Sequence, residues 1–128
     1  MSNDSPIPVD IKLHQNSKKL ELVYSDDESY QLSCEFLRVM SPSAEVRGHG
    51  AGQEKLQSGK INVSIKNIVS VGNYAIQLVF SDGHDSGIYS WEYLYDLCQH
   101  QQVYWEDYLV QLRKAGAHRD PDIQVVSL

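Results

Sequence analysis

Hydrophobic and polar positions alternate along much of the chain. Ile11 and Leu13 stand among Asp10, Lys12 and His14, Asn16-Ser17 offers a turn, and Leu20, Leu22 and Tyr24 resume the alternation. This period of two predicts an antiparallel hairpin. Ser25-Asp26-Asp27-Glu28 forms a second turn before a short strand near Tyr30 to Leu32. Ser33 is placed to cap a short helix, Cys34 to Val39, with Phe36, Leu37 and Met40 facing inward. From Ser41 to Lys60 the periodicity dissolves into a glycine-rich stretch, the longest loop expected, which is either functional or mobile. Ile61, Val63 and Ile65 restart a strand that continues through Ile68-Val69, and Val71-Gly72-Asn73 turns it back. Tyr74, Ile76, Leu78 and Phe80 then alternate with Ala75, Gln77 and Val79, which predicts a strand with one strongly buried face. Asp82-Gly83 supplies the positive-φ positions of a tight turn.

Two helices are expected to follow. Ser90 caps the first, whose apolar stripe is Trp91, Leu94, Tyr95 and Cys98. The second runs from about Val103 to Lys114 on a stripe of Trp105, Tyr108, Leu109 and Leu112, with Arg113 and Lys114 in its last turn and Gly116 as terminator. The sum is an α+β domain: a single antiparallel β-sheet of about five or six strands with two C-terminal helices packed on one face. Residues 1–8, with Pro6 and Pro8, are expected to be a disordered lead-in. Residues 9–116 form the domain, and 117–128 are a tail that docks as a strand or stays loose.

Composition narrows the function more than the fold. A chain of 128 residues is one domain and buries about two-thirds of its unfolded surface without staples. Net charge is −6 and no basic stripe is present, so a nucleic-acid backbone would be repelled. Cys34 and Cys98 match no CxxC pattern and lie beside apolar positions, which suits reduced, packed thiols in a cytoplasmic protein. The opening MSNDSPIPVD has neither a basic region nor an apolar run, and no segment approaches the ~20 apolar residues of a membrane span. No nucleophile elbow, phosphate loop or dinucleotide fingerprint occurs, so an enzyme is the weakest expectation.

The sharpest polar cluster is Asp82, His84 and Asp85 at the turn. It reads as a metal or polar-ligand site, completed by His49 and Glu45 from the long loop and suited to weakly bound iron or zinc. The other reading is a turn histidine that locks the hairpin to the loop, and that structural role is preferred. Arg47-Gly48-His49-Gly50 offers an arginine for an anion, or simply a tight reversal. His118-Arg119-Asp120 has the spacing of part of an iron triad but no histidine downstream to complete it. Tyr93 and Tyr104 lie off the apolar stripes and are expected to be exposed, where with Arg47 they would anchor a protein partner.

Five blocks carry a family resemblance: Leu37-Arg38, Ser41-Pro42-Ser43-Ala44-Glu45-Val46, Gly48-His49-Gly50, Val71 to Ile76, and Asp82 to Trp91. Over residues 9 to 116 the chain resembles the small bacterial DUF971 proteins, related to the N-terminal domain of γ-butyrobetaine hydroxylase and trimethyllysine hydroxylase. In those hydroxylases the resemblance implies a structural zinc held by three cysteines after a Leu-Arg pair and by the histidine of the Asp-Gly-His turn. His84 stands at that histidine, while the cysteine positions fall on Ser41, Ser43 and Val46, so the family's thiolate site is missing. The oxygenase domain that carries the hydroxylases' chemistry is absent from the sequence. Other relatives are similar to a module attached to Mrp-type iron–sulfur scaffold ATPases. What this likeness implies is a non-enzymatic accessory or interaction module near iron–sulfur or metal handling, with such an ATPase as partner; the alternative is a metal-binding domain built on His84.

Overall fold

The computed structural model describes residues 5–47 and 55–123. Its elements in chain order are β1 (Asp10–His14), β2 (Lys19–Ser25), β3 (Glu28–Ser33), α1 (Cys34–Val39), α2 (Ala44–Arg47), β4 (Ile65–Val71), β5 (Ala75–Phe80), β6 (Ile88–Ser90) and α3 (Trp91–Ala115). The α+β class holds, but the single sheet does not. The strands form two separate antiparallel meanders, β1-β2-β3 and β4-β5-β6. Alternation specifies which face of a strand is buried and leaves open which strand edges lie together. Each meander closes through short turns, whereas β3 passes directly into α1 at the Ser33 cap, whose hydroxyl accepts from the Phe36 N–H at 3.0 Å.

The two sheets share one core. Leu20, Leu22 and Leu32 come from the first, Ile65, Ile76, Leu78, Phe80 and Tyr89 from the second, with Phe36 and Leu37 of α1 and Leu94, Leu97 and Cys98 of α3. In register, Leu20 faces Leu32, and Ile76 faces Tyr89. Tyr74 departs from the expected buried row: it lies in the turn before β5, outside the ladder, and is 60% exposed. The β4 strand also begins later than the alternation suggested, at Ile65 rather than Ile61.

The two expected C-terminal helices run directly into one another as α3, two helical segments that meet at a kink where His100 has non-helical angles (φ −122°, ψ 20°), with no loop between them. The polar run Gln99-His100-Gln101-Gln102 between the apolar stripes contains no glycine or proline, so nothing forces the helix to end. The irregularity re-aims the second half, whose Tyr108 and Leu112 join Val39 in a small satellite core. Both expected caps are present. The Ser90 hydroxyl accepts from the Tyr93 N–H, and Gly116 takes the left-handed conformation that suits glycine, with φ 63°. Among the described residues no helix is long and apolar enough to cross a membrane.

Two polar ties close the fold. Tyr30 and Tyr95 both donate to one Glu28 oxygen, at 2.8 and 2.7 Å, fastening the β2–β3 turn to α3. Residues 117–123 dock without forming a strand: Arg119 donates through two nitrogens to buried Glu35 at 2.7 and 2.8 Å and lies 5.0 Å over Trp105. Removing the arginine strands a buried carboxylate, so Arg119→Ala is expected to lower the unfolding free energy by about 1–3 kcal/mol, read by urea denaturation.

Candidate functional site

The loop leaving α1 meets the β5–β6 turn at His84. That turn is built by its own backbone: Phe80 N–H donates to the His84 carbonyl at 2.9 Å, and Gly83 takes φ +90°. Asp82 does not share the positive φ expected of a two-residue hairpin, and residues 81–87 connect the strands. The Asp82 carboxylate accepts the His84 N–H at 3.2 Å, a local bond that favours Asp ahead of glycine in turns. The imidazole is thereby turned inward and is 7% exposed.

Both ring nitrogens are occupied. The Nδ1 atom lies 3.1 Å from Glu45 Oε1, and Nε2 lies 2.8 Å from Ser41 Oγ and 3.4 Å from Ser43 Oγ. A carboxylate only accepts, so the ring proton is assigned to Nδ1, which leaves Nε2 to accept from Ser41. The same Glu45 oxygen accepts from Ser86 Oγ at 2.8 Å. Burial, and then the Arg38 guanidinium, push the His84 pKa below its ordinary value of 6.5, against the upward pull of Glu45 and Asp82.

Asp82 is committed elsewhere. One of its oxygens takes Arg38 Nε and Lys60 Nζ, both at 2.9 Å. Against the upward push of burial, these hydrogen bonds hold its pKa down at about 2. Asp85 is exposed, and its carbonyl accepts from Gln77 Nε2 at 2.6 Å. His49 lies outside the described residues. Among the described residues, no group of three or more histidine, cysteine, aspartate or glutamate side chains could hold a metal ion.

Ser41, His84 and Glu45 have the connectivity of a hydrolase relay, serine to Nε2 and carboxylate to Nδ1. Access differs from that of a nucleophile. Ser41 has no exposed surface, and a Cβ on Gly87 would lie only 2.5 Å from its hydroxyl, so the chain itself covers the oxygen that a substrate would need to reach.

Arg47, Tyr93 and Tyr104 meet at a second place. Tyr93 Oη donates to the Met40 carbonyl at 2.5 Å and accepts from Arg47 Nη2. Tyr104 Oη donates to Asp96 at 2.9 Å, and Asp96 also meets His100 Nδ1 at 2.9 Å. With Met40, Asp96 and Asp107 they line a groove of about 280 Å³ beside α3. Both tyrosines are half-buried rather than exposed. The four-residue helix α2 carries Arg47 onto this face, inside what the sequence suggested was featureless loop. The partnership of Lys60 with Asp82 has no signal in the sequence, whereas the Ser41 and Ser43 contacts with His84 were foreshadowed by the register of the family resemblance.

Fold and site together define a small α+β domain in which residues 41–45 are pinned to an Asp-Gly-His turn. The chain belongs to the gamma-butyrobetaine hydroxylase-like, N-terminal family, whose model matches residues 11–95. It is similar to two proteins solved by NMR in solution. One is 52% identical with a TM-score of 0.82, covering 97% of this chain and 98% of that one. The other is 48% identical with a TM-score of 0.80, covering 100% and 96%. A crystallised DUF971 protein of unknown function from Acidithiobacillus ferrooxidans is 39% identical over 70% of this chain and 90% of that one, with a TM-score of 0.59. No curated protein matches.

The zinc implied by the resemblance does not fit the residues present. Ser41 and Ser43 do converge on His84 Nε2, but they bring protonated hydroxyls, and buried Val46 brings only methyl groups. The site is instead a hydrogen-bonded junction with a defined acid response. Because the folded pKa of His84 is depressed, its contribution to stability is complete above pH 6.5 and is lost as pH falls below it, where the unfolded chain takes the proton first. Asp82 acts in a lower window, from about pH 4 downward. Urea unfolding at pH 7.5 and 5.5 is expected to show a loss of stability in the wild type that shrinks in His84→Gln.

Proposed function

We propose that this domain is a non-enzymatic accessory module that receives a protein partner in the groove beside α3. The observation that carries this reading is the convergence of Arg47 from α2 with Tyr93 and Tyr104 of α3 on one groove. Met40 and Asp96 already hold the two tyrosine hydroxyls, and the Tyr93 hydroxyl holds the guanidinium, so little further ordering is needed on association. Tyrosine and arginine are also the residues most enriched where binding energy concentrates. The burial of Ser41 supports a non-enzymatic role for the one relay-like cluster.

The partner suggested by the family resemblance is an Mrp-type iron–sulfur scaffold ATPase, and with it the proposed role is in iron–sulfur or metal handling. Asp96 and Asp107 in the groove, on a chain of net charge −6, favour a partner segment bearing lysine or arginine. Calorimetric titration of purified ATPase into the domain tests this. Tyr104→Ala, and the exposed change Asp107→Lys, are each expected to weaken binding about tenfold, equivalent to about 1.4 kcal/mol. Asp107→Lys should leave the unfolding midpoint nearly unchanged. Wild-type affinity in both variants, or no binding by the wild type, sinks the proposal.

A further inference from the structure

The cluster around His84 has the form of the outer half of a zinc site, with hydroxyls where metal ligands would stand. Ser86 donates to Glu45 Oε1, and that oxygen lies 3.1 Å from Nδ1 of His84. That is the arrangement by which a carboxylate fixes the tautomer of a metal-binding histidine and leaves Nε2 free for the ion. On the Nε2 side stand Ser41 and Ser43, from a loop that follows directly on α1. Two ligands sharing a tetrahedral zinc sit about 3.5 Å apart. Ser43 Oγ is at 3.4 Å, close to that spacing, but Ser41 Oγ has closed to 2.8 Å and bonds the nitrogen directly. The Ser43 N–H donates to the Ser41 hydroxyl at 3.4 Å, and the Gly87 backbone packs against it.

We propose that Ser41, Ser43 and His84 form a metal-independent closure of the fold. It uses hydrogen bonds at a position that will take a zinc ion as soon as soft ligands are supplied. The closure does by direct contact what an ion would do by coordination: it fastens the segment after α1 to the β5–β6 turn. The proposal concerns this junction alone and does not depend on the partner groove.

The test compares the wild type with S41C/S43C/V46C, each stripped of metal under reducing conditions and then titrated with zinc or with cobalt(II). Wild type is expected to take up neither ion and to show the same unfolding midpoint with and without chelator. The triple variant is expected to bind about one ion per chain, to show thiolate–cobalt absorption, and to gain several degrees of midpoint that a chelator removes. A triple variant that folds only with zinc supports the proposal equally. If it folds under neither condition, S41C/S43C keeps three candidate ligands with His84, and its cobalt absorption decides the matter in the same way. The proposal is overturned by a folded cysteine variant that takes up no metal. It is also overturned by wild-type protein that carries zinc or iron whose removal lowers its midpoint.

Discussion

An imidazole removed from water must find a partner for each of its two nitrogens, and His84 satisfies that demand with residues from a segment some forty positions earlier in the chain. Most of the architecture around the site depends on this. Ser41 and Ser43 are drawn to Nε2 and Glu45 to Nδ1, so the stretch after α1 is laid against the β5–β6 turn. Arg38 and Lys60 then share the Asp82 carboxylate on the other side of the same turn. Three separated stretches, residues 38–45, Lys60 and the β5–β6 turn, are joined here through side chains.

The placement of that segment has consequences away from the histidine. Once residues 41–45 are pinned, α2 follows, and Arg47 arrives beside Tyr93 and Met40 on the flank of α3. The groove offered to a partner is therefore a product of the same junction that closes the core. The irregular turn at His100 contributes as well, because it lets α3 serve the main core with Leu94 and Leu97 and the satellite core with Tyr108 and Leu112. The docked residues 117–123 complete this side, with Glu35 and Trp105 both engaged by Arg119.

The junction at His84 closes this part of the fold by hydrogen bonds, where a thiolate site would close it by coordination. A thiolate site stabilises by strong bonds to one ion and needs that ion to be supplied. A hydroxyl–imidazole site stabilises by several weaker bonds and is complete in the polypeptide alone. The penalty of the second solution is sensitivity to acid, since protonation of Nε2 removes the acceptor that Ser41 uses.

Local chemistry was legible from residues alone. The Ser33 and Ser90 caps, the left-handed Gly116, the Asp82-Gly83 turn and the alternating rows of β2 and β5 all depend on neighbours within a few positions, and the sequence by itself determined them. It also singled out His84 and, through the family register, the positions that meet it. Only the tertiary structure decided that the strands divide into two sheets, that Tyr74 turns outward, that Tyr93 and Tyr104 are half-buried, and that Lys60 reaches Asp82. Those outcomes are set by which surfaces come together across long separations. Periodicity records how one element is divided between core and solvent and carries no information about which distant element will cover it.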